Sequence, residues 1–435
     1  MRRLPPPWEL AATGAAMLVL EGIGLALQSP GEHHAAFAAV LLAQGALYAV
    51  AVRGVWAQPR ASLGLVLAIA CLLRAGPLLA PPHWSNDINR YVWDGRVQAA
   101  GFNPYCCLPD DARLAALRDS TIYPGINRAT TAPTIYPPIA QMGFRLAQAL
   151  GDSVGAMKAV MLGFEIIGVL ALLRLLRRAG RPPAQIILYA WLPLPVWEIA
   201  GSGHVDALAV GFVALTLLAA AGGRRIATGI LLGCATLTKF FPLVLAPALW
   251  RRGDRRMPTA FAVTLLLAYL PFISAGAGVL GFLPGYTTDE HLAAGRGFWP
   301  VDLLHRGLGL AVTPGLYVAF CGVVMAGLAI GALLRGDREA AMLRWSARLG
   351  LATMVLFTPH YDWYFVWLVP LLLLGWERPY WPGLWLALTG PLLYADPFAQ
   401  GVPLWVGGIL YGGFILLSLG DVIARRRTPA ALHAA

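Results

Sequence analysis

Charged side chains are what this sequence has least of. Only 13% of its 435 residues are Asp, Glu, Lys or Arg, against about 25% in a soluble domain. An ordinary water-solvated fold is therefore excluded. Acids are the scarcer sign, 22 against 33 bases, for a net charge of +11. In a soluble chain that excess would suggest nucleic acid. Here the arginines sit at the ends of apolar runs, so the excess reads as membrane topology and no nucleic-acid partner is expected. Cysteine is nearly absent, and the five present show no metal-ligand spacing. Cys106 and Cys107 are neighbours whose bridge would be strained, so two free thiols are expected. No glycine-rich loop follows a strand, which argues against a nucleotide-phosphate cradle. No internal repeat of the transporter kind is visible. The first apolar run, 8–28, is too long for a signal-peptide core and is followed by no clear small-residue cleavage site, so it reads as a span.

What is present is hydrophobic length. The hydrophobic share is 58%, and runs near the length of a bilayer span recur throughout: 8–28, 35–52, 61–80, 155–176, 183–200, 204–222, 257–275, 313–335, 342–358, 361–376, 380–397 and 402–424. The expectation is an all-α, polytopic transmembrane helical bundle of about 12–14 membrane segments, with the whole chain, 1–435, as one integral membrane domain. The run 226–250 is different. Arg224 and Arg225 precede it, and Arg251, Arg252, Arg255 and Arg256 follow it. With both flanks on the basic side it must enter and return as a re-entrant hairpin, and Lys239 and Pro242 lie where the turn falls. Such a break is tolerated only against protein or a wet cavity.

The arginine-rich segments are assigned to the cytoplasm. This puts the N-terminus inside and two long loops, 81–152 and 276–312, on the outer face. Shorter outer corners fall at 199–206, 358–362 and 396–401. A long loop in a compact chain tends to be functional, and the first one opens with "SNDINRYVWDGR", residues 85–96. Ser85 or Asn86 can cap a helix that Gly101 and Pro104 stop near Ala100. On it Asp87, Arg90, Tyr91, Asp94 and Gln98 share one face, and Ile88, Val92 and Ala99 another. The expectation is an interfacial helix with its apolar side down. A second outer helix is expected over 137–150.

Each polar group has a bland reading. Asp87 can complement the helix dipole and pair with Arg90, and Lys239 can snorkel or pair internally. Against that, the other outer corners are also stocked with functional groups: His204 and Asp206, His291 and Arg296, His360 and Asp362. An ionisable residue inside a bundle is itself a functional signal.

The stretches "SNDINRYVWDGRVQAAGFNPY", "TIYPPIAQ", "GSGHVDAL", "LTKFFPLVLAPAL" and "TPHYDWYFVWLVPLL", in this order over residues 84–376, resemble the membrane glycosyltransferases of the GT-C superfold. The closest resemblance is to glycosyltransferase family 87, which includes mannosyltransferases that use polyprenyl-phosphate-linked mannose. The Asp-x-Asp pair often quoted for the superfold is broken here, because position 89 is Asn. The resemblance implies transfer of a sugar, mannose in particular, from a polyprenyl-phosphate donor to a lipid or glycan hydroxyl. It implies a bacterial plasma-membrane setting with the site facing the periplasm. Membrane lipids are the remaining partner, and no cofactor is expected. Asp87 matches the catalytic acid position and would serve as general base. Lys239 would face the donor phosphate, where charge builds in the transition state, with Arg90, His360 and Arg296 as further candidates. Direct displacement would invert the anomeric centre.

Tyr136, His204, Asp206 and Asp94 are candidate sugar or acceptor contacts. Tyr136-Pro137-Pro138 can equally open a helix, and His204 and Asp206 can simply begin the span 204–222. The aromatics of "HYDWYFVW" suit both an interface belt and sugar stacking. Asp289, Glu290 and His291 could ligate a divalent metal, but a solvated loop explains them as well, so no metal site is expected. A transporter or flippase of a lipid-linked sugar is the competing class. The clustering of ionisable groups on one face, rather than at the midplane of a repeat, favours the enzyme.

Overall fold

The computed structural model describes residues 7–27, 33–57, 63–82, 84–283, 285, 288, 297–335, 338–376, 380–394 and 402–427. Among them every regular element is a helix. Six are long and apolar enough to cross a membrane: Trp8–Ala26, His34–Trp56, Val154–Arg178, Arg256–Leu280, Pro314–Leu334 and Leu404–Ile423. The protein is an all-α polytopic membrane protein.

Several expected spans are shorter or broken, and proline is the cause. The run 183–200 is a chain of short turns, Pro183–Ile186, Ile187–Ala190 and Pro193–Pro195, ending in a π-turn at Val196–Gly201. Each proline removes a backbone donor and crowds the preceding turn. The segment survives at membrane depth because protein covers it. Trp191 and Trp197 are buried and donate to the Val66 carbonyl at 2.8 Å and to Gln44 at 2.9 Å. Likewise Asp362–Leu368 is a 3₁₀ turn ahead of the short helix Val369–Gly375, with Pro370 at the junction. Hydropathy registers such segments as spans because it measures apolarity, not backbone geometry.

Buried charge ties the bundle together. Arg74, on Leu63–Leu79, pairs with Glu165 on Val154–Arg178 at 2.7 Å, and Tyr189 donates to the same carboxylate at 3.1 Å. Lys158 donates to the carbonyls of Pro77 and Ala80 at 3.0 and 2.7 Å, satisfying groups that the end of Leu63–Leu79 would leave orphaned. All five cysteines are free thiols.

The helix Arg225–Thr236 stops where a turn was expected. Residues 237–240 are non-helical, and the chain continues as the 3₁₀ turn Phe241–Leu245, with Pro242 in its first turn, and the helix Ala246–Leu249. Gly229 and Gly233 lie one turn apart and let this helix press onto Arg256–Tyr269, the small-residue device of membrane helix pairs. A methyl group on Gly229 would stand 2.2 Å from the Met257 carbonyl oxygen. Gly229→Ala should therefore destabilise the protein by about 1–3 kcal/mol, the usual cost of overpacking. An unchanged melting temperature in detergent would contradict this contact.

The loop 81–152, expected on the outer face, is a folded layer. The helix Asp87–Ala99 ends as expected: Gly101, at φ +83°, donates to the Gln98 carbonyl and Phe102 to that of Val97, a Schellman closure that glycine accommodates. Its partner is the expected second helix, Pro138–Leu150. Tyr91 stacks on Phe144 at 4.6 Å. The first helix is not, however, left at the lipid surface with its polar face in water. Ile88, Arg90, Tyr91, Val92, Trp93, Asp94, Gly95 and Val97 are all buried. The loop between the two helices folds over the polar face, and buried polar groups find partners there. Arg96 clamps Asp119 at 2.7 Å and Asp152 at 2.8 Å. Burial pushes the Asp119 carboxyl up, but hydrogen bonds from Arg96 and from the N–H groups of Ile122, Tyr123 and Thr121 hold it well below the usual carboxylate range. The loop after Leu280 docks on this layer through Phe282 N–H to the Thr134 carbonyl, and the end of the helix before it through Asn103 to the Phe272 carbonyl.

Candidate active site

Between the outer layer, the 237–240 turn and the Asp362–Leu368 turn lies a half-open cavity of about 550 Å³. Five of the expected site residues line it: Asp87, Arg90, Tyr136, Asp206 and Lys239. They come from distant parts of the chain and are held by different devices.

Asp87 begins its helix and is half-buried. Its backbone N–H donates to Ser85 Oγ at 3.2 Å, and its Oδ1 accepts from Asn127 Nδ2 at 2.8 Å. Tyr91 and Tyr136 stand beside it. Burial, reinforced by the Asp87 charge, pushes both phenols well above their ordinary range. They are neutral hydroxyls at physiological pH, which leaves the carboxylate as the basic group in this corner. Arg90 points the same way, but its Nε is held by Asp94 at 2.9 Å and its Nη1 by the Ala132 carbonyl at 3.1 Å.

Lys239 sits in the non-helical turn after Thr236. That turn is pinned from the outer layer: the Leu237 carbonyl accepts from the N–H of Ile139, at the start of Pro138–Leu150, at 3.0 Å. The sequence leaves Lys239 to snorkel, to pair internally or to face a donor phosphate. Lys239 Nζ is 2.8 Å from Asp206 Oδ1 and 3.1 Å from Oδ2, an internal pair. It also lies over the Tyr364 ring, 3.8 Å from its centroid. The pairing has a plain cause. An unpaired ammonium at this depth is costly, and Asp206, which opens the helix Asp206–Ala221, supplies the counter-charge. Asp206, which lines the cavity beside it, holds the ammonium with both carboxylate oxygens.

Other expectations are corrected. Asp94 does not reach the cavity. Its Oδ2 accepts from Thr134 and Gln141 at 2.5 and 2.8 Å while Oδ1 holds Arg90. His204 is wholly buried, with Nδ1 2.6 Å from Glu198 Oε2 and its ring 4.5 Å from that of Trp363. It backs a cavity wall instead of forming one. His360 is outside the lining and packs on Tyr361 at 3.9 Å. Arg296, with Asp289, Glu290, His291 and the corner 396–401, lies outside the described residues. Among the described residues no group of three or more His, Cys, Asp or Glu could hold a metal ion.

The structure adds residues that sequence reasoning did not single out. Asn127 orients Asp87, and Arg128, with φ +55°, lines the cavity beside it. Neither carries a signal in its local sequence. The aromatics proved more legible: Tyr361, Trp363 and Tyr364 form one wall, the first two stacked at 4.3 Å and 10°.

Fold and cavity together define an integral membrane protein that can take a ligand with both a charged part and a flat, hydroxylated one. The chain belongs to the alpha-(1->6)-mannopyranosyltransferase family (MptA_B family), whose N-terminal-domain model matches residues 10–251. The match begins well before residue 84, where the motif resemblance starts, and includes Asp87, Arg90, Tyr136, Asp206 and Lys239 but not the aromatic wall at 361–364. No curated protein and no solved structure matches the chain.

Proposed function

We propose that the protein transfers mannose from a polyprenyl-phosphate-linked donor to a hydroxyl of a lipid or glycan acceptor, at the outer face of the membrane, with inversion. One observation carries the reading: Asp87 and Lys239, a base and a cation far apart in sequence, open onto the same half-open cavity. In the reaction, the acceptor hydroxyl attacks the anomeric carbon and loses its proton to the Asp87 carboxylate. The bond from that carbon to the phosphate oxygen breaks, and the electron pair leaves with polyprenyl phosphate. Lys239, aided by Arg90 and Arg128, meets the charge gathering on that phosphate. A β-linked donor would give an α-linkage, in keeping with the family description. The aromatic wall of Tyr361, Trp363 and Tyr364 suits a sugar face. The direct test is to incubate the purified protein in lipid with polyprenyl-phosphate mannose and an acceptor extract. Mannosylated product with stoichiometric release of polyprenyl phosphate is expected. Movement of the intact donor across vesicles without release would favour the transporter instead.

A further inference from the structure

A second recess lies away from the cavity just described. It is an open groove of about 750 Å³ between the helices Pro138–Leu150, Arg225–Thr236 and Arg256–Tyr269. Its walls are apolar: Ile139, Met142, Ile226, Ile230, Val263 and Leu267. One end is different. Arg255 and Arg256 line it at the start of Arg256–Tyr269, with Thr259 one turn on. The nearby acid, Asp254, is engaged elsewhere: its Oδ1 caps the Arg256 N–H at 3.1 Å, and its Oδ2 faces Arg225 at 3.9 Å. Among the described residues neither the Arg255 nor the Arg256 guanidinium has a side-chain partner.

We infer that this groove binds one anionic phospholipid of the arginine-rich leaflet, its phosphate on Arg255 and Arg256 and an acyl chain along the apolar walls. Charge complementarity is the first argument. Two exposed guanidiniums at a helix N-terminus offer bidentate donors to a phosphate, and the helix dipole adds to them. Length is the second. The rise from Arg256 to Leu267 is about 17 Å at about 1.5 Å per residue, close to one leaflet, half of a hydrocarbon core about 30 Å thick. A lipid anchored at the arginines fits that depth. The groove also borders the helix Arg225–Thr236, whose far end carries the Lys239 turn. The bound lipid would brace that helix along the seam of its glycine contact, where Ala260 and Thr264 face both the glycines and the groove.

The test counts phosphatidylglycerol retained by the full-length protein through detergent exchange, by native mass spectrometry, after purification from phosphatidylcholine nanodiscs with and without phosphatidylglycerol. The wild type should keep one phosphatidylglycerol. Arg255→Gln/Arg256→Gln should bind it about 30-fold more weakly, the effect of two basic residues at a membrane surface. Ile230→Trp keeps the charges but fills the groove, and should also lose the lipid. Both variants alter exposed positions, and monodisperse elution checks their folding. Retention unchanged in either variant would overturn the inference: in the first the arginines hold nothing, and in the second the effect is surface charge without a groove. Competition by polyprenyl phosphate for the same site would also overturn it, by making the groove a donor path.

Discussion

Asp87→Asn should leave the protein folded and able to bind donor, yet lower mannosyl transfer by about 10²–10⁴-fold, the range for removing a positioned general base. The substitution is nearly isosteric. The amide oxygen can still accept the 2.8 Å hydrogen bond from Asn127, and the helix keeps its Ser85 contact through the backbone. Only basicity is lost. Because Tyr91 and Tyr136 are held as neutral phenols by burial beside that carboxylate, neither can substitute as a base. The measurement is the single-turnover transfer rate at saturating donor, alongside donor affinity. A rate within a few fold of wild type would remove Asp87 from the chemistry.

Lys239→Ala is expected to reduce transfer by about 10²–10³-fold, comparable to deleting a preorganised transition-state donor. Its interpretation must account for Asp206. With the ammonium gone, the Asp206 carboxylate, whose side chain is 2% exposed, is buried without its partner, and breaking such a pair is itself strongly destabilising. The informative variant is therefore Lys239→Ala/Asp206→Asn, which removes both charges together. If Lys239 serves the phosphate, the double variant recovers thermal stability and not transfer. If the pair is scaffold alone, stability and transfer recover together. Lys239→Arg should restore part of the activity. It keeps the charge, but a planar fork replaces a compact ammonium against both Asp206 and the Tyr364 ring. Donor affinity should fall with the rate, since the same contact binds the ground-state phosphate.

The Lys239–Asp206 pair also suggests how an empty site keeps its cation. The lysine at rest is neutralised by a carboxylate at 2.8 Å and by the Tyr364 face at 3.8 Å. On the proposed reading, an arriving phosphate would share the ammonium's third proton or outcompete one contact, and would meet a group already oriented.

Composition and local periodicity were legible in the amino-acid order. Hydropathy placed the chain in a membrane, because length and apolarity of a run are local quantities. Gly101 ended the helix after Ala99, since a left-handed residue closes a Schellman turn whatever surrounds it. Two arginine flanks and a central Lys-x-x-Pro announced a break near 239, where the structure has one. Asp87 and Lys239 stood out because charge is rare here. Which polar groups face one another emerged with the folded arrangement. Asp94 and Asp206 look alike in sequence, each an acid in a short polar stretch between apolar runs. One is consumed by Arg90, Thr134 and Gln141, and the other by Lys239, through contacts 40 or more residues away for Thr134 and Gln141 and 33 away for Lys239. His204 reads as a corner residue and is buried against Glu198. Asn127 and Arg128 have no local pattern at all. They reach the cavity because the loop that carries them folds over a helix whose polar face had to be satisfied. Pairing energies at that depth are set by who lies opposite, and a sequence read one segment at a time does not contain that.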